Sequence, residues 1–160
     1  MGYVEELRAL VGHRQLNLCG SCVLVENPLG ELLLQQRMYP AGRWCFPGGL
    51  MELGESAEDT ARRELWEETA LKVDKLELLG VYSGPEHLCR AANGDEWYVI
   101  TIAYTTDCYS GQVKINDGES MALAWFAPEA MPEGLVSTHK KILADYLRRR
   151  DGQRGKEEQP

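Results

Sequence analysis

Apolar positions recur along this chain with two different periods, and the alternation between them outlines the fold. From Tyr3 to Val11, Val4, Leu7, Leu10 and Val11 stand at helical spacing and predict a short leading helix. Leu16 to Glu26 is apolar and β-branched, then Asn27-Pro28-Leu29-Gly30 turns the chain. Glu31 to Arg37 resumes as a strand, so the two runs are expected to pair as a hairpin. Met38 to Trp44, with Pro40 and Gly42, reads as a loop, and Cys45 to Glu55 as an ordered one rich in Gly and Pro. Ser56 to Thr69 is the clearest helix: Ser56 suits an N-cap, Asp59 follows three residues on, and Glu58 lies in the first turn.

Leu71 to Val81 and Trp97 to Thr106 read as strands, with a loop from Ser83 to Glu96 between them. Ala122 to Phe126 is a short strand, followed by the turn residues Pro128 and Pro132. A last helix runs from Ser137 to Arg150, with Ile142, Leu143, Tyr146 and Leu147 on one side. The polar tail from 152 to 160 is expected to be disordered. Hairpins interspersed with helices favour a mixed sheet covered by helices, an α/β fold, over an all-parallel one. The 160 residues suit one domain, taken as residues 1–151, large enough to bury roughly 70% of its unfolded surface.

Composition narrows the chemistry. Twenty-five acidic against seventeen basic residues leave a net charge of −8, which argues against binding a nucleic-acid polymer through clustered cations. It does not exclude an anionic small molecule, because carboxylates can load metal ions that attract phosphate. No apolar run approaches the ~20 residues of a membrane helix, and the N-terminus lacks a signal-peptide core, so a cytoplasmic location is expected. Five cysteines, an odd count, fit reduced thiols. Cys19 and Cys22 form a CxxC inside a strand, where residues three apart face opposite ways, so buried or isolated thiols are expected instead of a redox or zinc pair.

The segment from Gly49 to Leu71, GLMELGESAEDTARRELWEETAL, concentrates the candidate chemistry. On a helix Glu64, Glu67 and Glu68 stand at i, i+3 and i+4 and share a face, with Glu55 just before the helix. Periodicity alone allows a solvated acidic face paired with Arg62 and Arg63. It also allows a site for hard cations, Mg²⁺ or Mn²⁺ (Ca²⁺ being a third possibility), which oxygen ligands suit. Pro47-Gly48-Gly49 would let a backbone carbonyl approach a metal closely.

The segment resembles the Nudix box: Gly, five residues, Glu, seven residues, Arg-Glu-apolar, one residue, Glu-Glu, one residue, Gly, apolar. Gly49, Glu55, Arg63, Glu64, Leu65, Glu67, Glu68 and Leu71 match, and Ala70 stands where the family usually has Gly. Leu33-Leu34-Gln35-Gln36-Arg37, Trp44 to Gly49, and Ala124-Trp125-Phe126 with Pro132 extend the likeness, which covers about residues 18–147. It implies a Nudix-like α/β/α sandwich and Mg²⁺- or Mn²⁺-dependent hydrolysis of the diphosphate in a nucleoside diphosphate linked to another moiety. Sugar nucleotides of the ADP-ribose kind and nucleoside triphosphates both fit, and a homodimer is usual among similar proteins.

By the same resemblance Glu67 and Glu68 would bind metal, with the Gly49 carbonyl, Glu55 and Glu64 contributing. Glu64 serves as general base in some members, and Arg63 orients its carboxylate neighbours. Outside the box, Glu119 is a candidate metal carboxylate. Arg37, Trp44, Tyr82, Glu96 and Tyr98 are candidate substrate contacts, and His139 reads as an exposed or capping residue. Two rivals stand beside the hydrolase. A nucleotide-sensing module would commonly have lost box carboxylates that this chain keeps. A prenyl-diphosphate isomerase would need a further catalytic cysteine and glutamate that its sequence does not display.

Overall fold

Strand β1 (Leu16–Val25) runs through the middle of the molecule, and its continuous apolar run is explained by burial on both faces. The computed structural model describes residues 2–39 and 41–157, the last five by backbone alone. Strand β1 lies between β4 (Gly48–Leu50), antiparallel, and β8 (Glu96–Thr106), parallel. On the far side of β8 lie β6 (Glu77–Tyr82) and, at its other end, β7 (Leu88–Arg90). A second sheet holds β2 (Leu32–Arg37) between β10 (Ser120–Phe126) and β3 (Trp44–Cys45). A two-stranded piece joins β5 (Lys72–Val73) to β9 (Tyr109–Ser110). The expected mixed sheet is therefore present.

Alternation along the central strands sorts the core into two layers. Cys22 and Leu24 of β1, with Leu32 and Leu34 of β2, pack against Ile142, Leu143 and Tyr146 of helix α3 (Ser137–Glu157). Val23, Val25 and Leu33, one step out of phase, pack against Ala61 and Leu65 of helix α2 (Ala57–Thr69). The result is an α/β/α sandwich. Helix α1 (Tyr3–Val11) adds no buried residue. Polar contacts hold it: the Tyr3 amide donates to Glu52 at 2.7 Å, and Arg8 donates to the Glu96 carbonyl at 2.9 Å. Among the described residues no helix is long and apolar enough to cross a membrane.

Several boundaries differ from the sequence expectation. Strands β1 and β2 do not form a hairpin; only a single bridge, Glu26 to Leu32, joins them before the Asn27 turn carries the chain into the second sheet. Each strand instead has two other neighbours, and its faces are buried by packing toward α2 and α3. The run from Leu71 to Val81 breaks into β5 and β6. The expected loop from Ser83 to Glu96 contains a 3₁₀ turn (Pro85–His87) and β7, which pairs with the start of β8. Trp44 and Gly48–Leu50, expected in loops, are strand residues. Helix α3 continues through Glu157, so the tail from Gly152 is helical that far, while Pro40 and residues 158–160 lie outside the described residues. Cys19 is exposed and Cys22 buried, as the strand parity requires, and all five cysteines are unpaired.

Both ends of α2 follow the sequence closely. Ser56 Oγ accepts from the Asp59 amide at 3.1 Å, and the Asp59 carboxylate accepts from the Ser56 amide in return. At the C-terminal cap, Ala70 adopts the left-handed conformation, φ 60° and ψ 11°, among the described residues the only non-glycine with positive φ. That conformation costs about 1–2 kcal/mol for a residue with a Cβ, and glycine's extra freedom in the unfolded chain returns part of it. Ala70→Gly should therefore raise stability by up to about 1 kcal/mol, which for a domain of this size is about 2–4 °C in Tm. A calorimetric Tm that stays level or falls would show that the strain is not there.

Candidate active site

Helix α2 and the turn before it present their carboxylates to one guanidinium. Arg63 Nε donates to Glu55 at 2.6 Å and Nη2 to the other Glu55 oxygen at 3.0 Å. Nη1 reaches Glu64 at 2.8 Å and Glu67 at 3.1 Å, and Nη2 also reaches the Leu50 carbonyl at 3.0 Å. All the N–H donors of the side chain are thus used. Glu55 receives further hydrogen bonds from the Glu52 amide and the Thr60 hydroxyl. Arg63 above all, then these donors, hold its carboxyl down to about 2.

Glu64 and Glu68 lie deeper. Burial raises the Glu64 carboxyl, against the pull of Arg63. Burial also pushes Glu68 up to about 8, and its hydrogen bond from the Gly48 amide at 2.8 Å offsets only part of this. Two glycines make the approach possible. Gly48 has φ 153°, and a Cβ there would lie 2.2 Å from the Ser21 carbonyl oxygen. A Cβ on Gly49 would lie 2.4 Å from the Glu64 carboxylate. Glycine is therefore required where β4 passes the acidic face of α2.

A cleft of about 610 Å³ opens over this face. Of the sequence candidates, Gly49, Glu64, Glu67, Glu68, Glu119 and Arg37 line it. Arg63 lies behind them, and Glu67 is half-exposed toward the opening. Glu55 does not line the cleft, and its oxygens accept from Arg63, Thr60 and the Glu52 amide, so in this structure it anchors Arg63. Among the described residues no three His, Cys, Asp or Glu side chains stand together at metal-binding spacing. The guanidinium provides the charge balance between Glu64 and Glu67 in this arrangement. The donors facing the acidic end are nonetheless all oxygen, and two are carboxylates that burial makes reluctant to ionise alone. That donor chemistry fits a hard divalent cation.

The other substrate candidates go elsewhere. Trp44 packs edge-on against Phe126 with ring centroids 5.0 Å apart, beside the α3 core layer. Tyr82 is buried in that layer. Glu96 pairs with Arg90 and Gln15 at the surface. Tyr98 shares the Glu96 face of β8, whereas Trp97, Val99 and Thr101 face the cleft. Strand β8 is apolar at both parities, so alternation in the sequence could not choose between them. His139, expected at the surface, also lines the cleft; it is enclosed because the start of α3 packs on Phe46.

The Nudix domain model matches residues 19–146. An ADP-ribose pyrophosphatase of Methanocaldococcus jannaschii is 34% identical over 130 residues, covering 81% of this chain and 72% of that protein. An oxidized purine nucleoside triphosphate hydrolase of Danio rerio is 47% identical over 112 residues, covering 69% and 66%. The crystal structure of a MutT Nudix hydrolase from Burkholderia pseudomallei superposes with a TM-score of 0.69 at 27% identity, over 81% of this chain and 97% of that one. With the box residues gathered around Arg63 and the family match spanning most of the sequence, this chain belongs to the Nudix family.

Proposed function

We propose that this Nudix hydrolase cleaves the diphosphate linkage of a nucleoside diphosphate joined to another group, with Mg²⁺ or Mn²⁺ as cofactor. The carrying observation is the set of Glu64, Glu67 and Glu68 on one wall of the cleft, the first two held by Arg63 and the third by the Gly48 amide. Glu67, Glu68 and the Gly49 carbonyl would hold the metal, with Glu64 and Glu119 at its margins. When bound, such an ion supplies charge stabilisation for the diphosphate oxygens and lowers the pKa of water.

The chain's own residues do the rest. Glu64, half-enclosed and raised by burial, accepts the proton of the water that attacks phosphorus. The bond from that phosphorus to the bridging oxygen breaks, and the departing phosphate carries the bridging oxygen away. Arg63 keeps Glu64 and Glu67 in position, and Arg37 on the cleft wall faces the incoming anion. The relatives named for ADP-ribose and for oxidized purine triphosphates support both substrate classes equally. The retained box carboxylates favour hydrolysis over nucleotide sensing. Unpaired cysteines go with a cytoplasmic setting, a homodimer is the assembly expected with it, and residues 1–151 act as one domain.

Product release from a panel of dinucleotides, sugar nucleotides and triphosphates with Mg²⁺ or Mn²⁺ tests the reading. Glu67→Gln keeps the shape of a half-exposed side chain, so Tm should hold while turnover falls about 100-fold or more. Turnover within a few-fold of wild type would remove Glu67 from the assignment.

Glu68 gives a second readout, independent of activity. Its folded pKa of about 8 lies above the ordinary carboxylate value, so the folded state keeps a proton that the unfolded chain has lost. Stability from this group is present at low pH and is lost as pH rises through about 8. A bound cation favours the ionised form, so the Tm gain from saturating Mg²⁺ should be larger at pH 8 than at pH 6. An equal gain at both pH values would place the ion away from Glu68.

A further inference from the structure

His139, the third residue of α3, is held in one tautomer by the backbone. The Phe46 amide lies 3.0 Å from His139 Nδ1, and the imidazole stacks on the Phe46 ring at 5.5 Å and 11°. A backbone amide can only donate, so Nδ1 must carry a lone pair. The ring proton then sits on Nε2. Protonating the ring would set N–H against N–H. Burial, with Arg37 and His87 nearby, pushes the imidazole down to about 3, so it stays neutral across the physiological range.

Among the described residues Nε2 has no protein partner, and the side chain lines the same cleft as Arg37, Glu68 and Glu119. The charged group beside it is Arg37, which also faces Cys45, Glu68 and Glu119. The thiols lining the cleft are neutral, since burial raises Cys45 to about 11 and raises Cys89. Neither Arg37 nor a neutral thiol offers the imidazole an acceptor, so it can donate into the cleft but cannot accept. A donor left without an acceptor once water is displaced costs about 1–3 kcal/mol, so a ligand filling the cleft beside it would be expected to meet it.

We propose that His139 is a substrate-binding residue, donating its Nε2–H to an acceptor atom of the nucleotide in the cleft. This rests on the diphosphate-hydrolase reading above. The acceptor is an oxygen or ring nitrogen of the nucleoside part or a phosphoryl oxygen. His139 acts on affinity, because with Nδ1 taken by the Phe46 amide and a proton already on Nε2 the ring cannot act as a base.

The test is His139→Asn, whose side-chain oxygen can replace Nδ1 as acceptor for the Phe46 amide while the Nε2 donor is lost. KM for the best nucleotide should rise about tenfold, with kcat changed less than about twofold and Tm held. A purely structural role would leave KM unchanged, and that result overturns the assignment. Inhibition by inorganic tripolyphosphate locates the acceptor: an unchanged Ki in the variant places it on the nucleoside, and a Ki raised in parallel places it on a phosphoryl oxygen, either supporting the contact. If the variant does not fold, ¹⁵N-resolved imidazole spectra of the wild type decide. An Nε2–H resonance that shifts on saturation with nucleotide supports the contact, and one that does not move refutes it. A wild-type enzyme that neither binds nor cleaves any nucleotide overturns both readings, whereas turnover with an unaltered KM in the variant overturns only this one.

Discussion

Glu64, Glu67 and Glu68, within a turn and a half of α2, and Glu55, folded back from before its start, would repel one another strongly, and the structure answers this with Arg63. Its planar fork takes Glu55 by two bonds and still has donors for Glu64, Glu67 and a strand carbonyl. A lysine at this position could offer one compact charge but not the divergent geometry. Because Glu55 is anchored by Thr60 and a backbone amide as well, it fixes the guanidinium, and the guanidinium in turn fixes Glu64 and Glu67, two of the carboxylates that line the cleft. The acidic wall is thus pre-organised, as the proposed cation-assisted hydrolysis requires.

The sandwich supplies what Arg63 cannot. Strand β1 is buried on both faces, so α2 and α3 are placed on opposite sides of one rigid strand. Its partner β4 carries Gly48 and Gly49 against Glu68 and Glu64, and the segment just before β4 carries Phe46 against His139. One stretch of chain therefore meets α2 through Gly48 and Gly49 and α3 through Phe46.

Much of this was legible in advance, for specific reasons. The capping box at Ser56, the face shared by Glu64, Glu67 and Glu68, and the left-handed requirement at Ala70 are local consequences of helix geometry. The two layers were not legible, since they rest on the burial of both faces of β1, which the structure shows. What stayed hidden was non-local. The Asn27 turn looks the same whether the next strand returns beside β1 or departs to a second sheet. Strand β8 offers apolar residues at both parities, so Tyr98 and Trp97 were equivalent until the register placed Trp97 in the cleft. Glu55 carried a ligand's residue type and a ligand's position in the box, but only the structure shows that its oxygens are already taken. His139 had no sequence signal, because its role depends on a backbone amide 93 residues away.

In the proposed mechanism Glu55 anchors Arg63, while Glu64, Glu67 and Glu68 face the cation. Anomalous diffraction from crystals grown with Mn²⁺ separates these roles. The expected peak is bounded by Glu67, Glu68 and the Gly49 carbonyl, with Arg63 still bonded to both oxygens of Glu55. A peak ligated by Glu55 with Arg63 displaced, or no peak at the α2 face, would contradict it.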